Sequence, residues 1–212
     1  MLIVRLGLIL MIVTSIAAGG LSLLNTQTAP IIAHNQAMEA QRAREEVTRK
    51  LGDVELVEVP VSEDFSYFRA VDTSSSEVVG YAGLAKGAGY SSLIRTMVGF
   101  DKNFEIVGMK IVFQQETPGL GTKAEEPAFL DQFNGVSGET VAVTKDGGTI
   151  DSITGATITS RAIAVSINDL VERIKSARDA APSDTTVATE EAKHPPREIT
   201  VEPTQPARNP ED

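Results

Sequence analysis

Residues 151–160 read DSITGATITS and carry more information than any other stretch of this sequence. Just beyond them, four apolar residues at helical spacing predict a final helix over residues 160–177: Ile163, Ile167, Leu170 and Ile174. Gly155 permits close backbone approach, and hydroxyl side chains lie where this helix begins. A helix amino terminus presents unpaired amides and a positive dipole end, so the segment predicts an anion site suited to phosphate. The alternative is an ordinary Ser/Thr helix cap, which the residues alone favour.

Upstream of this segment the pattern indicates a sheet. Runs of β-branched and aromatic residues predict strands at residues 67–71, 78–84, 93–100, 104–113 and 140–143. The third and fourth runs flank Asp101-Lys102-Asn103 and should form a hairpin. Pro127 begins a short helix that ends near Gly135 and buries Phe129, Leu130 and Phe133. The sequence therefore predicts a single α+β domain whose curved, mainly antiparallel sheet is flanked by helices.

The amino-terminal region predicts a membrane anchor over residues 1–25. No charge occurs in the nineteen residues from Leu6 to Leu24, close to the roughly 20 needed to span a bilayer as a helix. A cleaved signal peptide, cut near Ala17 or Ala18, is the alternative, but leucines continue the apolar run beyond those positions. Arg5 favours a cytoplasmic amino terminus, with the domain on the extracytoplasmic side.

A helix is expected to lead from the span into the domain and to end at Gly52, since apolar residues recur at helical spacing: Ala40, Ala43, Val47 and Leu51. The domain is assigned to residues 26–178. Residues 179–212 hold most of the prolines and almost no large apolar residues, so they predict a disordered, acidic, proline-rich tail.

Composition excludes several classes of function. A formal net charge of -10, with scattered Lys and Arg, argues against nucleic-acid binding. Without cysteine the chain can supply neither thiolate metal ligands nor cysteine nucleophiles, and only two histidines, His34 and His194, are present. No metal site and no catalytic residue are therefore expected, and any redox chemistry should be organic.

The decapeptide resembles the flavinylation motif Asp-x-x-(Ser/Thr)-Gly-Ala-Thr of the FMN-binding domain family. That domain is shared by the G subunit of Rnf complexes and the C subunit of the sodium-pumping NADH:quinone reductase. The matching residues are Asp151, Thr154, Gly155, Ala156 and Thr157. The resemblance implies that a flavin transferase attaches FMN covalently to the Thr157 hydroxyl as a phosphoester, with Thr159 as the rival position.

A second segment resembles the Glu-Thr-Pro-Gly-Leu-Gly loop of the same domains, and its residues are expected to cradle the flavin ring: Glu116, Thr117, Gly119, Leu120, Gly121 and Thr122. Without the resemblance it would be a Pro-Gly turn after a strand. Glu116 is expected either to orient a polar edge of the flavin or to cap the loop. Residues 80–99 resemble a glycine-rich strand pair of the family, which is expected to serve the fold, with Tyr90 as a weaker candidate near the ring. The sequence departs from the family pattern at Ser152 and at Gln114-Gln115.

The resemblance implies an electron-transfer subunit of a membrane-bound Rnf-type complex, which couples electron flow between ferredoxin and NAD to ion movement. The expected partners are the other membrane subunits of the complex and, during maturation, the flavin transferase. No catalytic turnover is expected from the chain alone. The alternatives are a sodium-pump C subunit, a free-standing flavinylated carrier, and a membrane-anchored scaffold without cofactor.

Overall fold

The computed structural model describes residues 2–180, and its regular elements are three helices and five strands. The helices are α1 (Leu2–Thr48), α2 (Pro127–Leu130) and α3 (Thr157–Ala180). The strands are β1 (Val54–Ser62), β2 (Phe65–Asp72), β3 (Val78–Ala88), β4 (Leu93–Asp101) and β5 (Ile106–Phe113). Short 3-10 turns lie at Arg49–Leu51, Gly121–Glu125, Asp131–Phe133 and Thr144–Asp146.

The five strands form one antiparallel sheet in the order β1-β2-β3-β4-β5. Each strand pairs with its neighbour in sequence, as expected when strands are joined by short connections. The predicted β4–β5 hairpin is present, with the Asp101 carboxylate accepting hydrogen bonds from the backbone amides of Asn103 and Glu105 at 2.8 Å. The prediction of an α+β fold built on a mainly antiparallel sheet is confirmed.

Two strand assignments from the sequence were wrong. Strand β1 was missed because it is an edge strand that contains Pro60 and exposes most of its residues, so its pattern is weak. The strand predicted at 140–143 does not form, and only an isolated bridge joins Val143 to Ile150. The side-chain amide of Asn168 on α3 occupies the place of a partner strand, since it donates to Val141 O at 2.9 Å and accepts from Val141 N at 3.0 Å.

Helix α1 is continuous over 47 residues, with Pro30 inside it, where the sequence suggested a span followed by a separate helix. Its amino-terminal part is exposed, and it is long and apolar enough to cross a membrane. Its last turns are buried against the domain at Ala43, Val47 and Thr48. The predicted stop at Gly52 is confirmed, because this glycine has a positive φ of 98° that few other residues adopt.

Helices pack on both faces of the sheet, and glycines permit the close approach. A Cβ on Gly99 or Gly108 would lie 2.5 or 2.8 Å from the carbonyl oxygen of Val47, so these glycines let α1 lie against β4 and β5. On the opposite face, a Cβ on Gly87 would lie 2.5 Å from the carbonyl oxygen of Ala162 in α3. The main core lies between this second face, α3 and the loops that follow β5.

Helix α3 is longer than the predicted 160–177. It begins at Thr157, which places this threonine in the first helical turn, and it continues through Ala180. The remainder of the predicted tail, residues 181–212, lies outside the described residues.

Candidate functional site

The sequence-predicted segments meet in an open cleft of about 670 Å³, which lies within the roughly 300–1,000 Å³ typical of small-molecule sites. Three regions line it: the β3–β4 turn, the loop that follows β5, and the start of α3. The lining residues are Tyr90, Glu116, Thr117, Leu120, Gly121, Gly155, Ala156, Thr157, Ile158 and Thr159. Leu120, Ile158 and Tyr90 are 42%, 50% and 71% exposed, so large apolar surfaces remain open to a ligand.

The start of α3 leaves its first amides available to an anion. The first helical hydrogen bond runs from Ser160 N to Ala156 O, at 3.0 Å, so the amides of residues 157–159 precede the helical ladder. Ala156 occupies the cap position and has no side-chain oxygen to satisfy them. Gly155, with φ at +80°, turns the chain into the helix. This terminus therefore has the geometry and the dipole to bind a phosphate.

The hydroxyls of the segment do not act as the predicted cap. Thr157 is half-buried, and its Oγ1 accepts a hydrogen bond from Lys145 Nζ at 3.3 Å. Thr159 is only 1% exposed, and its Oγ1 donates to Glu116 Oε2 at 2.8 Å. Ser160 is fully buried, and its Oγ donates to Ala156 O and accepts from Ile153 N, both at 3.0 Å. Of the two candidate attachment residues, Thr157 is partly exposed and Thr159 is buried.

Glu116 connects the three regions that line the cleft. Glu116 is 5% exposed, and its carboxylate accepts five hydrogen bonds, from the backbone amides of Tyr90, Ser91 and Ser92 and from the hydroxyls of Ser92 and Thr159. Burial raises the pKa of Glu116, but the bonds from Thr159, Ser91 and Ser92 together outweigh burial and hold it below its ordinary value. All five donors lie in the β3–β4 turn or in α3, so the carboxylate of Glu116 joins these two regions to the loop after β5.

The loop after β5 is shaped by its glycines. Gly119 has a φ of +76°, and its amide donates to Thr122 Oγ1 at 2.9 Å. A Cβ on Gly121 would lie 2.6 Å from Glu116 Cβ, and a Cβ on Gly155 would lie 2.9 Å from Leu120 Cδ2. Glycine at these positions lets the loop close on Glu116 and lets the helix start touch Leu120.

Most of the predicted site residues reach the cleft, and a few do not. Glu116, Thr117, Leu120 and Gly121 line it, as do residues 155–157. Four of the predicted residues are not among those that line it: Asp151, Thr154, Gly119 and Thr122. Asp151 is exposed, and its amide donates to the Gln132 side chain at 2.7 Å.

The sequence reasoning missed two residues at the site, Ile158 and Lys145. Ile158 falls outside the apolar stripe of α3, and an exposed apolar residue at a helix start was the signal that could have found it. Lys145 carried no signal, since nothing local distinguishes it from other surface lysines.

The part of the chain that builds the cleft is an FMN-binding domain. The family model described as "FMN-binding domain" matches residues 89–172, a range that contains every residue lining the cleft.

Comparison with curated proteins gives the particular family. The G subunit of the ion-translocating oxidoreductase complex of Methanosarcina acetivorans is 30% identical over 171 residues, which are 78% of this chain and 90% of that protein. The G subunit of the Na(+)-translocating ferredoxin:NAD(+) oxidoreductase complex of Acetobacterium woodii is 35% identical over 182 residues, 77% of this chain and 87% of that protein. The chain belongs to this family of Rnf-type complex G subunits.

A solved structure supports the fold. The crystal structure of the C subunit of the Na(+)-translocating NADH-quinone reductase from Parabacteroides distasonis aligns with a TM-score of 0.53 and 19% identity. The alignment covers 70% of this chain and 96% of that one. At this identity the likeness concerns the fold alone.

Proposed function

We propose that this chain is a membrane-anchored electron-transfer subunit of an Rnf-type complex and that it carries FMN as a phosphoester on Thr157 Oγ1. The observation that carries the proposal is the position of this hydroxyl: Thr157 lines the cleft and is partly exposed, it lies in the first turn of α3, and Lys145 lies beside it. Family membership supports the role, since the relatives are named as subunits of ion-translocating oxidoreductase complexes.

The residues of the cleft fit a phosphate-linked flavin. The amides of residues 157–159 precede the helical hydrogen bonds and suit the phosphate. A Cβ at Gly155 would lie 2.9 Å from Leu120 Cδ2, so glycine here lets the segment that leads into Thr157 pack against the apolar Leu120 side chain. Leu120, Ile158 and Tyr90 offer apolar surface to a planar ring. When bound, FMN supplies the capacity to accept and pass on electrons, while the protein holds it in place and sets its surroundings.

The attachment chemistry requires a hydroxyl and an enzyme. A flavin transferase that uses FAD would join Thr157 Oγ to the phosphorus of the FMN half, break the P–O bond to the AMP half, and release AMP. The hydroxyl proton passes to a base of the transferase. Thr159 is unsuited to this reaction, because its hydroxyl is buried and bonded to Glu116.

The amino-terminal helix supplies the membrane anchor in this proposal. The uncharged run from Leu6 to Leu24 would extend about 30 Å as a helix, which matches the hydrocarbon core of a bilayer. Arg5 supports a cytoplasmic amino terminus and an extracytoplasmic domain. Because the chain lacks cysteine, Lys102→Cys in the exposed β4–β5 turn provides a single thiol. Labelling of that thiol by an impermeant maleimide in intact cells tests the orientation.

Intact mass tests the attachment. The full chain is co-expressed with a flavin transferase as wild type, Thr157→Ala, Thr157→Ser and Thr159→Val. We expect an FMN-sized increment in the wild type, in Thr157→Ser, which keeps a hydroxyl at this position, and in Thr159→Val. The increment should be absent from Thr157→Ala.

The outcomes separate the alternatives. An increment in Thr157→Ala that disappears in Thr159→Val would move the site to Thr159. No increment in any variant, from a host whose transferase modifies a known substrate, would favour the scaffold without cofactor.

A further inference from the structure

We propose that Lys145 is the phosphate-binding side chain of this site, which neutralises the charge of the FMN phosphate as it becomes attached to Thr157 and keeps it in place afterwards. The inference rests on the proposed function. It assigns a role to a residue that lies outside both sequence motifs and outside the lining of the cleft.

The contact itself is the first observation. Lys145 Nζ lies 3.3 Å from Thr157 Oγ1, although the two residues are 12 positions apart. An ammonium group can only donate, so Thr157 Oγ1 is the acceptor and its own proton is directed elsewhere. Among the residues that the structure describes, no carboxylate lies within 4.0 Å of Lys145, so its charge is not committed to an ion pair.

The loop that carries Lys145, residues 143–150, is held by backbone hydrogen bonds. It is closed by Thr144 N donating to Ile150 O at 2.8 Å and by Gly148 N donating to Val143 O at 3.0 Å. Val143 and Ile150, at its two ends, are both 0% exposed. A Cβ on Gly148 would lie only 1.9 Å from the carbonyl oxygen of Ala142, so the loop is tightly folded. These contacts fix the backbone from which the Lys145 side chain extends.

A second connection ties this loop to the helix that carries Thr157. Asp146 receives two hydrogen bonds from Arg161, at 2.5 and 2.7 Å, and Arg161 lies one helical turn after Thr157. This bidentate pair lowers the pKa of Asp146 and raises that of Arg161. Asp146 thus engages the arginine, and the adjacent Lys145 is left to face the threonine hydroxyl.

The charge of the reaction explains what such a lysine does. During transfer, negative charge on the phosphoryl oxygens develops next to Thr157 Oγ, and the phosphodiester product keeps one negative charge there. A cation at hydrogen-bond distance from that oxygen stabilises both, and the amides of residues 157–159, which precede the helical hydrogen bonds, add to this effect.

The test compares Lys145→Met, Lys145→Arg and the control Lys102→Met, which removes the same charge from the exposed β4–β5 turn. Each purified full-length chain is incubated with flavin transferase and FAD, and FMN incorporation is followed by intact mass. We expect Lys145→Met to load about tenfold more slowly, which is what the loss of one charge-assisted hydrogen bond implies. Lys145→Arg should recover most of the rate, and Lys102→Met should load like the wild type.

A second readout examines the contact in the loaded protein and does not depend on the rate of transfer or on electron-transfer activity. After loading to completion, the phosphorus-31 resonance of the phosphodiester should shift in Lys145→Met and stay unchanged in Lys102→Met. Wild-type loading and phosphorus resonance in Lys145→Met would overturn the role of Lys145 while leaving the attachment at Thr157 intact. Equal slowing by Met and Arg would overturn the charge argument. If the wild type and Lys102→Met also fail to load, the proposed function fails, and this inference fails with it.

Discussion

Replacing Glu116 with glutamine tests whether this carboxylate holds the cleft together. The substitution preserves shape and removes the charge that five donors share. Glutamine can still offer one oxygen to Ser91 and Ser92 in place of Oε1. Its NH₂ group, in place of Oε2, would face the amide of Tyr90, which donates at 3.2 Å, and the hydroxyl of Thr159.

The expected loss follows from these contacts. The Thr159 hydroxyl can rotate to accept from the new NH₂, but the Tyr90 amide loses its acceptor. The three bonds to the remaining oxygen change from charge-assisted to neutral, and hydrogen bonds to charged groups contribute about 1.5–3 kcal/mol against about 0.5–1.5 for neutral ones. Removing the cost of burying the charge offsets part of these losses, so we expect Glu116→Gln to lower the free energy of unfolding of the domain by about 3 kcal/mol at pH 7.

Tyrosine fluorescence during guanidinium unfolding in detergent measures this loss. The chain has no tryptophan, and its three tyrosines, Tyr67, Tyr81 and Tyr90, all lie outside the membrane helix, so the signal reports on the domain alone. Glu126→Gln is the matched control, because Glu126 is exposed and its side chain makes no cap hydrogen bond, so its effect should stay within about 0.5 kcal/mol.

The pH dependence gives an independent check of sign. The folded-state pKa of Glu116 lies below the ordinary value of 4.5. Its contribution to stability is therefore fully present above pH 4.5 and is lost as the pH falls through the folded-state pKa. The difference between wild type and Glu116→Gln should shrink as the solution becomes acidic. A loss below about 1 kcal/mol at pH 7, or a difference that grows towards acid, would refute the reasoning.

Two further predictions concern the sheet. Gly99→Ala should destabilise the domain by about 1–3 kcal/mol, because the new methyl would press on the Val47 carbonyl of α1, whereas Gly19→Ala, where a Cβ meets nothing within 4 Å, should leave the unfolding transition unchanged. An equal effect of the two changes would argue against this close packing. Hydrogen bonds, first from the Ser74 hydroxyl and then from backbone amides, lower the pKa of the partly exposed Asp72 to about 2. Ser74→Ala should therefore raise the pKa seen in a carbon-13 NMR titration towards 3.8, and an unchanged value would contradict the assignment.

Features that depend on neighbouring residues could be predicted from the sequence. The apolar periodicity of α3, the hairpin around Asp101 and the stop at Gly52 each follow from residues a few positions apart, and all three are present. The hydroxyl-rich segment at 151–160 and its resemblance to a flavinylation motif also identified the family correctly. The two strand errors concern features that neighbouring residues do not determine. Edge strand β1 lacks a buried face to mark it, and residues 140–143 were decided by Asn168, 27 positions away from Val141.

The sequence by itself therefore determined the elements that local patterns mark and the chemical groups available at the site. Tertiary structure decided which of those groups are free. Thr157 and Thr159 are the same residue type in the same segment. Thr159, however, is buried, and its hydroxyl donates to Glu116, which lies 43 residues earlier in the chain. The loop at residues 143–150 brings Lys145 to Thr157. Burial and long-range hydrogen bonding depend on how distant segments pack, and no local pattern of residues encodes that distance.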